Sequence, residues 1–151
     1  MAAPANEPKK ERIALDIVAS LKAISKGGGY HTNAGDNVTR HAPEIELNNA
    51  FPLIEVITGE EQRVESGIGC FRSEANFIIT GYVNDAETDQ ALIRLEADVK
   101  KSLLTDRSRS TLARDTEFVE SDTDYHELMA DNLGIVGLKF KVPYDWTLSD
   151  L

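Results

Sequence analysis

The sequence has few features of a secreted, membrane-bound or nucleic-acid-binding protein. Its single cysteine, Cys70, cannot form an internal disulfide, which fits a reducing cytoplasm. No apolar run approaches the ~18 residues of a membrane span, and the opening MAAPANEPKKER lacks the apolar core of a signal peptide. Lysine and arginine do not cluster, and the formal net charge is −10. A surface with this much negative charge repels nucleic acid and anionic lipid. We therefore expect neither a membrane nor specifically bound DNA as a partner.

Motifs that carry chemistry are equally scarce. The glycine run Gly27–Gly29 follows a predicted helix rather than a strand, which excludes a phosphate-binding loop. The i,i+4 or Cys-x-x-Cys spacing typical of metal ligands is absent among His31, His41, His126 and Cys70. We therefore predict that the protein is not an enzyme and has no catalytic residues, no metal and no cofactor.

One enzymatic alternative stays open, a small metal-dependent hydrolase. Glu44, Glu46 and Glu55 lie just before or within a predicted strand, as the carboxylates of metal-dependent nucleases do. Such sites also need a lysine two residues after the strand carboxylate, and Ile57 occupies that position. The pattern therefore gives this alternative little support.

Composition predicts one soluble domain over residues 1–151. The apolar fraction is 41% and the charged fraction 28%, and a chain of this length can bury a sizeable core. No linker or repeat divides the chain. The first eight residues, 1–8, are predicted to form a flexible leader, and residues 145–151 a peripheral tail.

Two amphipathic helices are predicted from residues that recur at helical spacing. The first runs from Lys9 to Lys26, and the glycine run after it is expected to close it. Asn84 and Glu87 resemble a capping box that begins the second helix, which should end near Thr105. The apolar residues predicted to face the core are Ile13, Ile17, Leu21 and Ile24 on the first helix, and Leu92, Leu95, Val99 and Leu103 on the second.

Alternating apolar residues predict strands between and after these helices. The resulting order, α-β-β-β-α-β-β, is that of an α+β fold in which a largely antiparallel, possibly mixed sheet packs against the two helices. Residues 59 to 67 read as a polar loop, and residues 122 to 131 as a loop or helical turn. The predicted strands are Asn37–His41, Phe51–Thr58, Ile68–Val83, Thr116–Glu120 and Leu133–Tyr144.

The longest predicted strand, Ile68–Val83, is the most informative element. At about 3.3 Å per residue it would span roughly 50 Å, whereas a globule of this length is roughly 40 Å across. The strand must therefore bend or project from the body. A projecting strand is suited to touching neighbouring molecules, which favours assembly over catalysis.

Several segments of the chain resemble tail terminator proteins of tailed bacteriophages, also called minor tail or tail-completion proteins. The resemblance covers nearly the whole chain. Its segments are the opening helix RIALDIVASLKAI, its exit GGGYHTNAGDNVTR, the strand FPLIEVITGEE, FIITGYVND leading into ALIRLEADVKKSLL, and the closing LGIVGLKFKVPYDW.

The resemblance implies a compact subunit that closes into a ring, usually a hexamer, on the finished end of the tail tube. Such a ring ends tube polymerisation and meets neck or head-completion proteins. It also implies a virion component at the neck end of the tail, assembled in the host cytoplasm. DNA would pass through the lumen unbound, because chains of charge −10 offer it no counterion release. A different head-tail adaptor or neck protein remains the closest alternative.

Candidate interface residues come from the predicted geometry rather than from the resemblance. One group lies in the predicted Gly59–Gly69 loop and its adjoining strand, and the other in the loop Thr105–Arg114. The second loop could pair with an acidic edge of a neighbour, since residues 115–131 contain no lysine or arginine. The candidates are Glu60, Glu61, Arg63, Glu65, Arg72, Arg107 and Arg109.

Overall fold

Two helices cover one face of a five-stranded mixed sheet in the computed structural model, which describes residues 6–40, 50–125 and 132–151. The observed order confirms the predicted α-β-β-β-α-β-β arrangement. The elements are α1 (Lys9–Lys22), β1 (Val38–Arg40), β2 (Leu53–Gly67), β3 (Cys70–Asn84), α2 (Thr88–Thr105), β4 (Glu117–Tyr125) and β5 (Leu133–Trp146).

The strand order across the sheet is β1-β2-β3-β5-β4. Only β1 and β2 run parallel, and every other neighbouring pair is antiparallel. β2 and β3 form a hairpin paired from Leu53 with Tyr82 to Gly67 with Cys70. β3 and β5 therefore form the centre of the sheet, and β4 forms one edge.

The core lies between the sheet and the helices, as the alternating pattern predicts. Glycine lets α2 approach the sheet closely: a Cβ at Gly81 would lie 2.5 Å from Leu95 Cδ2, and one at Gly134 would lie 2.6 Å from Thr88 Cγ2. The predicted apolar stripes of both helices are buried. From the sheet, the core includes Phe77, Ile79, Val83, Val136, Leu138, Phe140 and Val142.

The predicted end of the first helix and the predicted start of the second helix both need correction. α1 ends at Lys22 rather than Lys26, because Ile24 turns into the core and its carbonyl accepts the Gly35 N–H. The glycine run instead closes a separate 3₁₀ turn, with Gly29 at φ 90°. The capping box at the start of α2 is also wrong, since Asn84 is still part of β3 and Asp85 accepts the N–H bond from Glu87.

Three strands, β2, β4 and β5, continue beyond their predicted ends into polar segments, and β3 begins two residues later than predicted. β2 continues through the predicted loop to Gly67, with two register shifts against β3, and β3 begins at Cys70 rather than Ile68. β4 continues to Tyr125, where a loop or helical turn was expected. β5 continues through Trp146, so part of the predicted peripheral tail belongs to the sheet. His41, Glu44, Glu46 and His126 lie outside the described residues.

The turn between α2 and β4 contains an unusual run of left-handed residues. Arg109, Ser110 and Thr111 have φ values of 51°, 55° and 68°. The Asp106 carboxylate holds this turn by accepting N–H bonds from Ser110 at 2.8 Å and from Ser108 at 3.1 Å. These bonds, that of Ser110 above all, lower the pKa of Asp106.

Replacing Thr111 by glycine should raise the free energy of unfolding by about 0.5 to 1 kcal/mol. A left-handed L-residue costs about 1–2 kcal/mol, whereas the added backbone entropy of glycine costs about 0.5–1 kcal/mol. The Thr111 side chain is exposed, so little packing is lost. Urea denaturation would measure the gain, with Thr111→Ala as a control that keeps the strain. A less stable glycine variant would contradict the expectation.

Candidate assembly surface

The distal part of the β2–β3 hairpin is the most exposed part of the sheet. β1 covers β2 only at residues 54–56, so further along β2 no described strand pairs with its outer edge, and residues 60–67 are exposed. Ile68 at the turn is fully exposed, and Val64 is 54% exposed. β5 pairs with β3 as far as Phe71, so β3 lies within the sheet along nearly its whole length. Only the hairpin turn extends beyond the end of β5.

A buried tyrosine anchors the middle of the hairpin. Tyr144 on β5 is 4% exposed, and its hydroxyl donates to Glu61 Oε1 at 2.6 Å. Lys10 of α1 lies 3.5 Å from the same oxygen. Burial, followed by the hydrogen bond to Glu61, raises the pKa of Tyr144, so the phenol keeps its proton and remains a donor. Glu61 therefore binds within its own subunit.

Replacing Tyr144 by phenylalanine should lower the free energy of unfolding by about 1 kcal/mol, because one hydrogen bond to a charged acceptor is lost. The loss stays modest because Glu61 keeps Lys10 and some access to water. Urea denaturation would measure it. Tyr82→Phe is the matched control, since that hydroxyl makes a longer bond of 3.2 Å to Glu55. An equal loss in both variants would show that the short bond has no special weight.

An ion-pair network joins the hairpin to the end of β5. Arg72 donates to Asp145 at 2.9 Å and to Glu65 at 3.0 Å, and Arg114 donates to Asp145 at 2.8 Å. Burial raises the pKa of Asp145, but the hydrogen bonds from the two arginines outweigh this effect and lower it. Beside the network, Phe71 stacks on Trp146 with ring centroids 4.5 Å apart. Arg72 is thus held inside its own sheet.

The two arginines predicted to reach a neighbour both bind within their own chain. Arg107 makes a bidentate pair with Asp115, at 2.6 and 2.8 Å. Arg109 is completely buried, with its guanidinium 3.2 Å from Asp16 and donating to the Leu103 carbonyl at 2.6 Å. Burial lowers the pKa of Arg109. Because Arg109 cannot touch a neighbour, it is left out of the proposed interface.

The sheet face turned away from the helices carries a groove that the sequence analysis missed. The groove has a volume of about 430 Å³. Ile78 and Gly137 form its floor, and Glu60 of β2 and Glu120 and Asp122 of β4 line its sides. A Cβ at Gly137 would meet nothing within 4 Å, so the groove is open there. A glycine at an outward position of an otherwise regular strand was the available signal.

The described residues give little support to the alternative that the protein is a metal-dependent hydrolase. Glu55 is 5% exposed and accepts a bond from the Tyr82 hydroxyl, and burial together with Glu55 raises the pKa of Tyr82 to about 12. Over residues 6–40, 50–125 and 132–151, no three histidine, cysteine or acidic side chains are grouped so as to hold a metal. None of the helices in these ranges is long and apolar enough to cross a membrane.

Comparison with known proteins finds matches among solved structures. No protein-family model and no curated protein sequence matches this chain. A solved structure described as the virion of a native gene transfer agent particle contains a chain of similar fold, with a TM-score of 0.61. The match covers 88% of this chain and 94% of that chain at 16% sequence identity. At that identity the likeness shows a shared fold.

Proposed function

We propose that this chain is a structural protein of a phage or phage-like virion, and that it caps the tail tube as a ring. The observation that carries the proposal is the fold shared, over nearly its whole length, with a chain of a gene transfer agent virion. The sequence resemblance to tail terminators adds the finer role. In that role the protein ends tube polymerisation and joins the tail to the neck or head, without catalysing a reaction.

The exposed edge of the hairpin supports assembly with other copies. An edge strand presents unpaired backbone groups and is an aggregation hazard unless it is covered or protected. In a closed ring each subunit uses the same two surfaces, so every such edge is covered. The predicted residues Glu60, Arg63 and Glu65 are exposed on this edge, and the predicted Arg107 is exposed in the turn between α2 and β4. These four residues form the proposed interface. A hexamer is the proposed size.

The proposed partners are the tail tube protein on one face of the ring and a neck or head-completion protein on the other. DNA would pass through the lumen without specific binding, in keeping with a formal charge of −10 per chain. A head-tail adaptor would bind the neck side but would leave tube length unchanged. Tube length therefore separates the two roles.

The test combines the purified full chain with tail tube protein from the same particle. Light scattering over a concentration series and electron microscopy should show rings, free or at tube ends, and tubes of limited length. Tubes assembled without this chain are the control. A chain that stays monomeric and leaves tube length unlimited would overturn the proposal.

A further inference from the structure

Three cations on one surface make no ion pair with any described residue. Lys26, Arg94 and Lys101, here called the basic patch, are absent from the ion pairs among the described residues, as are Lys9, Lys22 and Arg63 elsewhere in the chain. Lys26 and Arg94 line one cavity of about 340 Å³, together with Asp85. Lys101 lies beside it, with its Nζ donating to the Gly29 carbonyl at 2.9 Å. The patch therefore carries a local excess of positive charge.

A buried carboxylate fixes the position of this patch. Asp98 on α2 is 1% exposed and accepts N–H bonds from His31 at 2.9 Å and Thr32 at 2.8 Å. These bonds hold the loop after Lys26 against α2. Arg94 and Lys101 are seven residues apart on that helix, two turns along the same side. These contacts place Lys26 next to the helix that carries Arg94 and Lys101.

The opposite charge is concentrated on β4, which forms an edge of the sheet. Glu117, Glu120 and Asp122 alternate with inward residues and form what is here called the acidic edge. On β5, Glu117 faces Lys141 and pairs with it at 3.2 Å, Glu120 faces Lys139, and Asp122 faces Gly137. On the other side of β4 no described strand follows. Residues 119–124 are exposed. A cationic surface could therefore approach from the open side.

Of the acidic edge, Asp122 lies nearest to the end of the sheet where the basic patch is located. Asp122 pairs with Gly137, which pairs with Thr80 of β3. The cavity of the basic patch is lined by Asn84, where β3 ends, and by Pro52, just before β2 begins. β4 is separated from β3 by β5. Glu120 and Glu117 lie further from that end, at the levels of Ile78 and Asn76 of β3, so Asp122 is the acidic-edge residue closest to the level of the basic patch.

We propose that the basic patch of one copy docks against the acidic edge of the next copy, so that copies join head to tail. This inference rests on the proposed ring, which needs two different complementary surfaces on each chain. DNA is disfavoured as the occupant by the net charge of −10.

Charge reversal on each surface tests the inference. The patch variant is Lys26→Glu with Arg94→Glu, and the edge variant is Glu120→Lys with Asp122→Lys. All four side chains are exposed, so the urea unfolding midpoints should not change. Each variant alone should associate at least ~10-fold more weakly than the native chain, because like charges then meet across the contact.

Mixing the two variants is the sharper measurement. An equal mixture should form rings of alternating copies, since each variant supplies the charge that the other lacks. The variant with all four reversals keeps the formal charge of −10, because two reversals in each direction cancel, and it should assemble by itself. Sedimentation and electron microscopy at low salt would show both results.

The outcomes separate this inference from the proposed function. If every variant forms native-sized rings, the assigned contact is wrong and the ring proposal stands. If the single-surface variants are monomeric but their mixture does not assemble, the pairing of these two surfaces is also wrong. DNA retention by the native chain that the patch variant loses, with rings unaffected, would assign the patch to nucleic acid. If the native chain never assembles, even on tubes, the proposed ring is wrong and this inference fails with it.

Discussion

Replacing Arg109 by methionine should lower the free energy of unfolding by about 3 to 5 kcal/mol, the usual cost of breaking a buried ion pair from one side. The guanidinium is fully buried, and the substitution removes the cation that faces Asp16 at 3.2 Å. It also leaves the Leu103 and Asp106 carbonyls without the donor that they share. Methionine fills most of the volume but offers none of these bonds.

The cost is large because one side chain joins several elements. Besides Asp16, Arg109 reaches the Ser20 hydroxyl on α1 at 3.1 Å and the Thr116 hydroxyl before β4 at 3.2 Å. Its bond to the Leu103 carbonyl satisfies one of the acceptors that every helix leaves open at its C-terminus. A cation there also suits the negative end of the α2 dipole.

Urea denaturation of Arg109→Met and Arg107→Met side by side would check this expectation. Arg107 is the matched control, because it has the same chemistry two residues away but its side chain is 57% exposed in its pair with Asp115. An exposed pair of this kind contributes little to stability, so Arg107→Met should lose much less than Arg109→Met. Equal losses in the two variants would show that burial does not set the value of the Arg109 network.

The same two arginines show where sequence reasoning stops. Both were predicted to face a neighbour, because two arginines in a polar loop look alike in sequence. Their environments diverge through the left-handed run that starts at Arg109 and turns its side chain inward. Non-glycine residues enter that conformation only when the surrounding structure holds them there. No local pattern in the sequence encodes such support.

The predicted strand lengths were wrong for a related reason. Alternation is visible in a sequence only where one face of a strand is buried, and beyond Gly59 both faces of β2 are exposed. That part is held by backbone bonds to β3, which leave no side-chain signature. In β4 the residues after Glu120 are polar or acidic and are exposed as far as residue 124, so they were predicted to form a loop or helical turn. The buried stripes of α1 and α2 carried a clear period and were predicted correctly.

Replacing Ile68 by aspartate should weaken association between copies about 10- to 100-fold. Burying an isoleucine side chain contributes about 1.5–3 kcal/mol, and about 1.4 kcal/mol corresponds to tenfold in affinity. The subunit itself should not lose stability, because Ile68 is fully exposed at the hairpin turn. Sedimentation over a concentration series would measure association, and urea denaturation would confirm the fold.

Ile68→Leu is the control, because it keeps the apolar surface while changing its shape, and it should retain the rings. Native association in the aspartate variant would show that the turn stays in water in the assembly. The expectation has a physical basis in the free subunit, where an exposed isoleucine next to an unpaired strand edge favours aggregation. The acidic Glu60 and Glu65 on the same hairpin oppose unspecific pairing by repelling like charges. A specific contact that covers the strand edge together with the Ile68 turn would remove this hazard once copies assemble.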